Sequence, residues 1–371
     1  MRKAAIEKAA IEKAARMRPE NHLAGVDLAR GIAVFAVVIL HTDEGLDQVP
    51  PLWQGLTVLS RFAVPFFLAA AFYFSASTLY RSSGQFPWQK RLTRLLIPYL
   101  AWSAFYLLYR VFKYGITQQT ERIQTSLQDP LSLAFLGGSA LHLYFLPLLI
   151  VGTCLMGLLG PALIRLRLSQ SALIGLAGLS SLCYEGLLRS GNGFEPVSST
   201  AFQSLSSLLP YADTPAVRLL FVALIWGLRC LPYLLLAISL ACVPTQTWWR
   251  PSIRKGILVI GSLTLLLGWL LPLALYELFS GYSVVLMALT LSPIIAPSRV
   301  VGRLGECAFG IYLIHLLFVE TFQTLIKRTH PAFNEFASAQ ALFLAATAIF
   351  LLSWISVSLL HRTPLKTLKV L

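Results

Sequence analysis

Ten stretches of roughly 17–25 apolar residues follow one another along this chain, and no other feature limits its fold so strongly. Each is long enough to cross a hydrocarbon core of about 30 Å as a helix. Within lipid, backbone N–H and C=O groups must satisfy one another, which leaves only helices or closed barrels as spanning structures. The runs lie near 23–42, 58–79, 93–113, 141–160, 170–188, 218–242, 255–274, 277–297, 305–326 and 339–361. They predict an all-α, polytopic membrane protein of about ten transmembrane helices. The seventh and eighth runs are divided only between Pro272 and Tyr282, by Glu277, Ser280 and Gly281. With 56% hydrophobic and 12% charged residues, a soluble globular chain is excluded.

The net charge of +14 first suggests nucleic acid as a partner, but the basic residues sit between apolar runs. Twenty of the thirty fall in alternate loops, and six in the opposite set (Lys113, Arg122, Arg189, Arg218, Lys327 and Arg328). This asymmetry predicts both termini in the cytoplasm, a cell-membrane location and no nucleic-acid partner. Residues 1–22 contain the repeat AAIEKAAIEKAA, with Glu12 and Arg16 at i, i+4, and predict a charged helical leader. The expected organisation is that leader, one membrane domain over 23–361 and a tail at 362–371. Cys154, Cys183, Cys230, Cys242 and Cys307 form no CxxC and lie in or beside apolar runs. They read as small buried hydrophobes rather than metal ligands.

The first run, LAGVDLARGIAVFAVVILHTD, carries charges where they cost about 2.5–3.5 kcal/mol each at a bilayer centre. Asp27 and Arg30 stand at i, i+3 and can pair. Arg30 and His41 stand eleven residues apart, three turns plus about 20°, so one helix face presents both, about 16 Å apart. Asp43, Glu44 and Asp47 follow at once. One carboxylate there can orient the imidazole as a general base requires, while Glu44 and Asp47 read first as solvated loop residues.

Other polar side chains stand at the ends of spans. WQKRLTRLLIPYL places Lys90, Arg91 and Arg94 at the cytoplasmic mouth of the third span, where they either anchor the helix or grip phosphates. Arg61 enters the second span four residues before Pro65, a kink position. His142 opens the fourth span at the depth where the first delivers His41, with Tyr144 beside it. His315 lies about twelve residues into the ninth span, whose start carries Glu306 within reach of Arg303. No Walker loop, GxSxG elbow, HExxH or Rossmann glycine pattern is present.

Asp-x-x-Arg-Gly-x-Ala followed by His41 resembles the first helix of the membrane-bound acyltransferase 3 family. The segments VPFF after Arg61, the basic run ending in Pro-Tyr, HLYFL from His142 and FGIYLIH ending in His315 resemble further segments of that family. Two departures stand out. Ala69, Ala70 and Ala71 replace a common Ser-Gly, and Tyr144 stands where tryptophan is commoner.

The resemblance implies transfer of an acyl group, most often acetyl, from acyl-CoA to a hydroxyl of a glycan or lipid-linked saccharide. It implies no resident cofactor and no metal. His41, Arg30 and His142 become the candidate catalytic residues, supported by Asp27, Arg61, Tyr144, His315 and Glu306. Lys90, Arg91 and Arg94 become the candidate donor-binding cations. A multi-pass carrier of a small solute or lipid-linked sugar is the competing reading, since polar groups inside apolar spans serve transport equally well. An acyltransferase-like protein without activity, suggested by the Ala69–Ala71 departure, is another.

Overall fold

Helix α1 (Ala24–Thr42) is hydrophobic around almost its whole circumference, and such a helix belongs inside a bundle. It is there, with Val26, Ala33, Val34, Val37 and Val38 all buried. The computed structural model describes residues 23–82, 84–127, 129–190, 214–329 and 337–363. The leader 1–22 and nearly all of the expected tail lie outside the described residues.

Around α1 stand α2 (Pro51–Ser60), α3 (Ala63–Arg81), α4 (Trp88–Ile116), the short α5 (Thr120–Leu127), α6 (Phe145–Leu166) and α7 (Gln170–Arg189). They are followed by α8 (Pro215–Ala241), α9 (Pro251–Leu267), α10 (Leu273–Leu291), α11 (Arg299–Thr329) and α12 (Ala339–Leu360). A single 3₁₀ turn, Leu141–Tyr144, leads into α6. Among the described residues there is no strand, and ten segments are long and apolar enough to cross a membrane, as the sequence predicts. Val259, Ile260, Leu263 and Leu266 of α9 point outward, the arrangement of a lipid-facing helix.

Boundaries differ from the sequence reading at two prolines, each for a local reason. Pro65 does not kink the second span in its middle. The chain breaks at Arg61, the residue whose carbonyl would need the N–H that Pro65 lacks, so α2 ends at Ser60 and α3 restarts at Ala63. The division of spans seven and eight falls at Gly268–Pro272, before Glu277. Leu271 is extended (ψ 156°), as the residue preceding a proline prefers, and Pro272 caps α10. Glu277 therefore lies inside a membrane helix.

Small residues set how closely the central helices approach. Gly25 of α1 lies against the backbone of Ala288 in α10 and of Ser292 just past its end, and its N–H donates to Ser292 Oγ (3.2 Å). Gly31 faces Leu304, while Gly305 of α11 faces Asp27. Gly281 of α10 meets Pro65 and Ala69 of α3, so the first alanine of the Ala69–Ala71 run forms a close helix crossing. Dense packing around α1 fixes the rotation of this helix, and so fixes where Arg30 and His41 point.

Candidate active site

The face from which α1 starts is called here the near face, and the face where it ends the far face. At the far end of α1, three imidazoles meet. The ring of His41 lies 5.2 Å from that of His315, and His315 lies 5.1 Å from His142. They come from α1, from α11 and from the 3₁₀ turn before α6. His315 and His142 are fully or almost fully buried. The sequence places His315 alone near mid-membrane. The structure puts it level with the other two, because α11 runs on to Thr329.

Each ring is held through one nitrogen. His41 Nδ1 donates to the Glu44 carboxylate, which can only accept. Glu44, and not Asp43, is therefore the orienting carboxylate, and Gln323 of α11 donates to its backbone carbonyl. His315 Nδ1 donates to the Tyr312 carbonyl (2.7 Å), and His142 Nε2 donates to the Leu313 carbonyl (3.3 Å). Tyr106 donates its hydroxyl to the same Leu313 carbonyl (2.8 Å), and Tyr312 donates to the His142 carbonyl. His315 Nε2 and His142 Nδ1 are buried with no partner among the described residues. In neutral rings anchored this way, His41 Nε2, His315 Nε2 and His142 Nδ1 are the lone-pair positions, suited to receive a proton.

Asp43 sits beside this cluster. Partial burial, helped by the neighbouring charge of Glu44, holds its carboxyl above the usual range.

Toward the near face, α1 presents Arg30, which pairs with Asp27 Oδ1 (3.4 Å) as the spacing predicts and lies 5.9 Å from the Phe74 ring centre. Arg94 stands within electrostatic reach of Arg30 and of Arg91. Arg91 itself is engaged: its guanidinium donates to Ser75 Oγ (2.7 Å) and Thr78 Oγ1 (3.0 Å) of α3. Lys90 and Arg94 are the exposed cations of that run. Beside Phe74 a cavity of about 1250 Å³ opens at the near ends of α3, α8 and α10, lined by Tyr73, Arg81, Trp249, Arg299 and Arg303 among others.

Two further residues of the sequence-derived set also stand apart from the histidines. Glu306 is exposed on the wall of the near-face cavity, one end of α11 away from His315, and makes no ion pair with Arg303 among the described residues. Arg61 is exposed at the α2–α3 break, near Tyr276. Tyr144 is half-buried and lies within electrostatic reach of Tyr312 and of Arg229.

Beside Tyr144 lies an ion pair between two membrane helices. Arg229 of α8 donates to both carboxylate oxygens of Glu277 in α10 (2.9 and 3.1 Å), inside the bundle. A charge inside an apolar span is a functional candidate, and these are two. In the sequence Glu277 reads as a divider between the seventh and eighth runs. Lys113 and Glu320 form a further pair (2.7 Å) at the far ends of α4 and α11. Among the described residues no group of three or more His, Cys, Asp and Glu side chains is placed to hold a metal ion.

Comparison with known families gives one result: residues 23–359 match the model of the acyltransferase 3 family, described as an acyltransferase domain. No curated protein and no solved structure matches the chain. The match runs from the first residue before α1 to the last turn of α12, so the chain belongs to that family and is a multi-pass membrane acyltransferase.

Proposed function

We propose that this acyltransferase moves an acyl group, acetyl in the simplest case, from acyl-CoA at the near face to a hydroxyl of a glycan or lipid-linked saccharide at the far face. The near face is then the cytoplasmic one, in the cell membrane. One observation carries the reading: a histidine oriented by a carboxylate, grouped with two buried histidines, stands eleven residues along the same helix from a cation close to a large near-face cavity.

The donor is anionic at its nucleotide end and reactive at the thioester. Arg81, Arg299 and Arg303 on the cavity wall, with Lys90 and Arg94 exposed on α4, suit phosphates, which arginine can grip with two parallel hydrogen bonds. Arg91 holds α3 in place through Ser75 and Thr78. The pantetheine arm then runs along the Arg30 face of α1 toward His41. At the far end His41 Nε2 takes the proton of the acceptor hydroxyl as its oxygen attacks the thioester carbonyl. Glu44 holds the tautomer and stabilises the imidazolium that forms. Collapse of the tetrahedral intermediate breaks the C–S bond, and the proton passes to the departing thiolate. His142 and His315 offer lone pairs beside His41 for that return.

The test uses purified protein in lipid vesicles with acetyl-CoA and candidate saccharides, followed by free-thiol release and by the mass of the acceptor. His41→Ala should abolish both signals with expression and acyl-CoA binding retained. Wild-type protein that releases no thiol with any acceptor, while moving solute across the vesicle wall in a His41-dependent way, refutes the reading.

A further inference from the structure

Acyl transfer through a tetrahedral intermediate puts negative charge on the former carbonyl oxygen, and a fixed cation or N–H donor at that point is commonly the largest catalytic contribution. Arg30 is too distant for this, some 16 Å along α1 from His41 and paired with Asp27. Lys113, at the far end of α4, is committed to Glu320.

Arg110 of α4 is differently placed. Only one of its five donors has a described partner: Nη1 donates to the carbonyl of Gly138 (3.3 Å), four residues before His142. Its Nε is buried without a partner among the described residues, and the side chain makes no ion pair there. Helical side chains lean toward the amino-terminal end of their helix, which takes the guanidinium back toward Tyr106, one turn earlier. The Tyr106 ring stands edge-on to His142 with centres 5.2 Å apart. Tyr106 and His142 also share the Leu313 carbonyl. An arginine with donors to spare, partly buried and with its Nε enclosed, thus adjoins the histidine cluster.

We propose that Arg110 is a further catalytic residue, contacting the thioester carbonyl oxygen and stabilising the oxyanion as the acceptor oxygen–carbon bond forms. The assignment rests on the acyl-transfer reading above. As the hydroxyl oxygen bonds to the acyl carbon, the carbonyl electron pair moves onto oxygen facing Arg110. It returns when the C–S bond breaks and the thiolate leaves with the proton relayed from His41.

The experiment compares wild type, Arg110→Gln, Arg110→Lys and Arg110→Ala in the thiol-release assay. Arg110→Gln should lower kcat by about 100-fold or more. The acyl-CoA KM should move less than about threefold, and the pH–rate profile should keep its wild-type shape. Added guanidinium should restore part of the Arg110→Ala rate, and Arg110→Lys should keep an intermediate rate even if the neutral variants fail to fold. A kcat within about threefold of wild type in Arg110→Gln overturns the proposal. So does a loss without guanidinium rescue accompanied by a shifted pH profile, the behaviour of an arginine that only braces the Gly138 loop under His142. Wild-type protein without thiol release overturns the function itself; a wild type that transfers normally beside an unimpaired Arg110→Gln overturns only this assignment.

Discussion

Replacing Glu277 by glutamine leaves Arg229 charged and without its counter-ion between α8 and α10. The two side chains are only 15% and 17% exposed, so water replaces the lost partner poorly. At a charge separation of about 4 Å and an effective dielectric near 20, the attraction is about 4 kcal/mol. Removing one member of such a pair costs about 3–5 kcal/mol, because the survivor remains buried and uncompensated. Glu277→Gln and Arg229→Met should each lower the melting midpoint of detergent-purified protein by on the order of 10 °C, read by tryptophan fluorescence at a fixed scan rate. The double variant Arg229→Met/Glu277→Gln removes both charges and should recover much of the loss, falling about 3 kcal/mol short of the sum of the single effects. Single losses under about 1 kcal/mol that simply add in the double variant would refute the reasoning, since they describe a solvated pair.

Three more outcomes follow from particular contacts. Arg94→Gln should raise the apparent KM for acyl-CoA more than that for the acceptor in steady-state thiol release; equal changes would leave Arg94 only an anchoring role. Asp43 holds its proton more tightly in the fold than the usual value of 3.8, so its stabilising contribution is complete below that pH and is lost as pH rises through the raised value. Asp43→Asn should accordingly raise the melting midpoint at neutral pH, with no gain below pH 3.8. Gly25→Ala puts a methyl group into the backbone of Ala288, and the α1–α10 crossing should lose about 1–3 kcal/mol, visible as an earlier melt without any change in which face of the membrane each loop occupies.

What the sequence settled alone is local in origin. A run of about twenty apolar residues becomes a membrane helix whatever surrounds it, so the ten spans are legible from composition along the chain. The Asp27–Arg30 pair is equally local, because i, i+3 side chains are neighbours on any helix. Proline chemistry belongs in this class too: both revised boundaries, at Arg61 and at Leu271, follow from what Pro65 and Pro272 forbid to nearby residues.

Whatever lies between helices was decided only by packing. His41, His142 and His315 come from segments far apart in sequence, and the depth and rotation at which those segments meet depend on contacts such as Gly25 on Ala288 and Gly31 on Leu304. Glu44 reads as a loop residue until the end of α1 turns it onto His41 and Gln323 of α11 holds its backbone. Arg91 reads as either a helix anchor or a phosphate ligand, and only the packing of α3 shows it bonded to Ser75 and Thr78. Arg229 and Glu277 stand 48 positions apart and become one ion pair only when α8 and α10 lie side by side. Helical periodicity repeats every 3.6 residues and orders side chains on one helix, but it carries no register between two helices. That register is fixed by the fit of small residues against large ones in the assembled bundle.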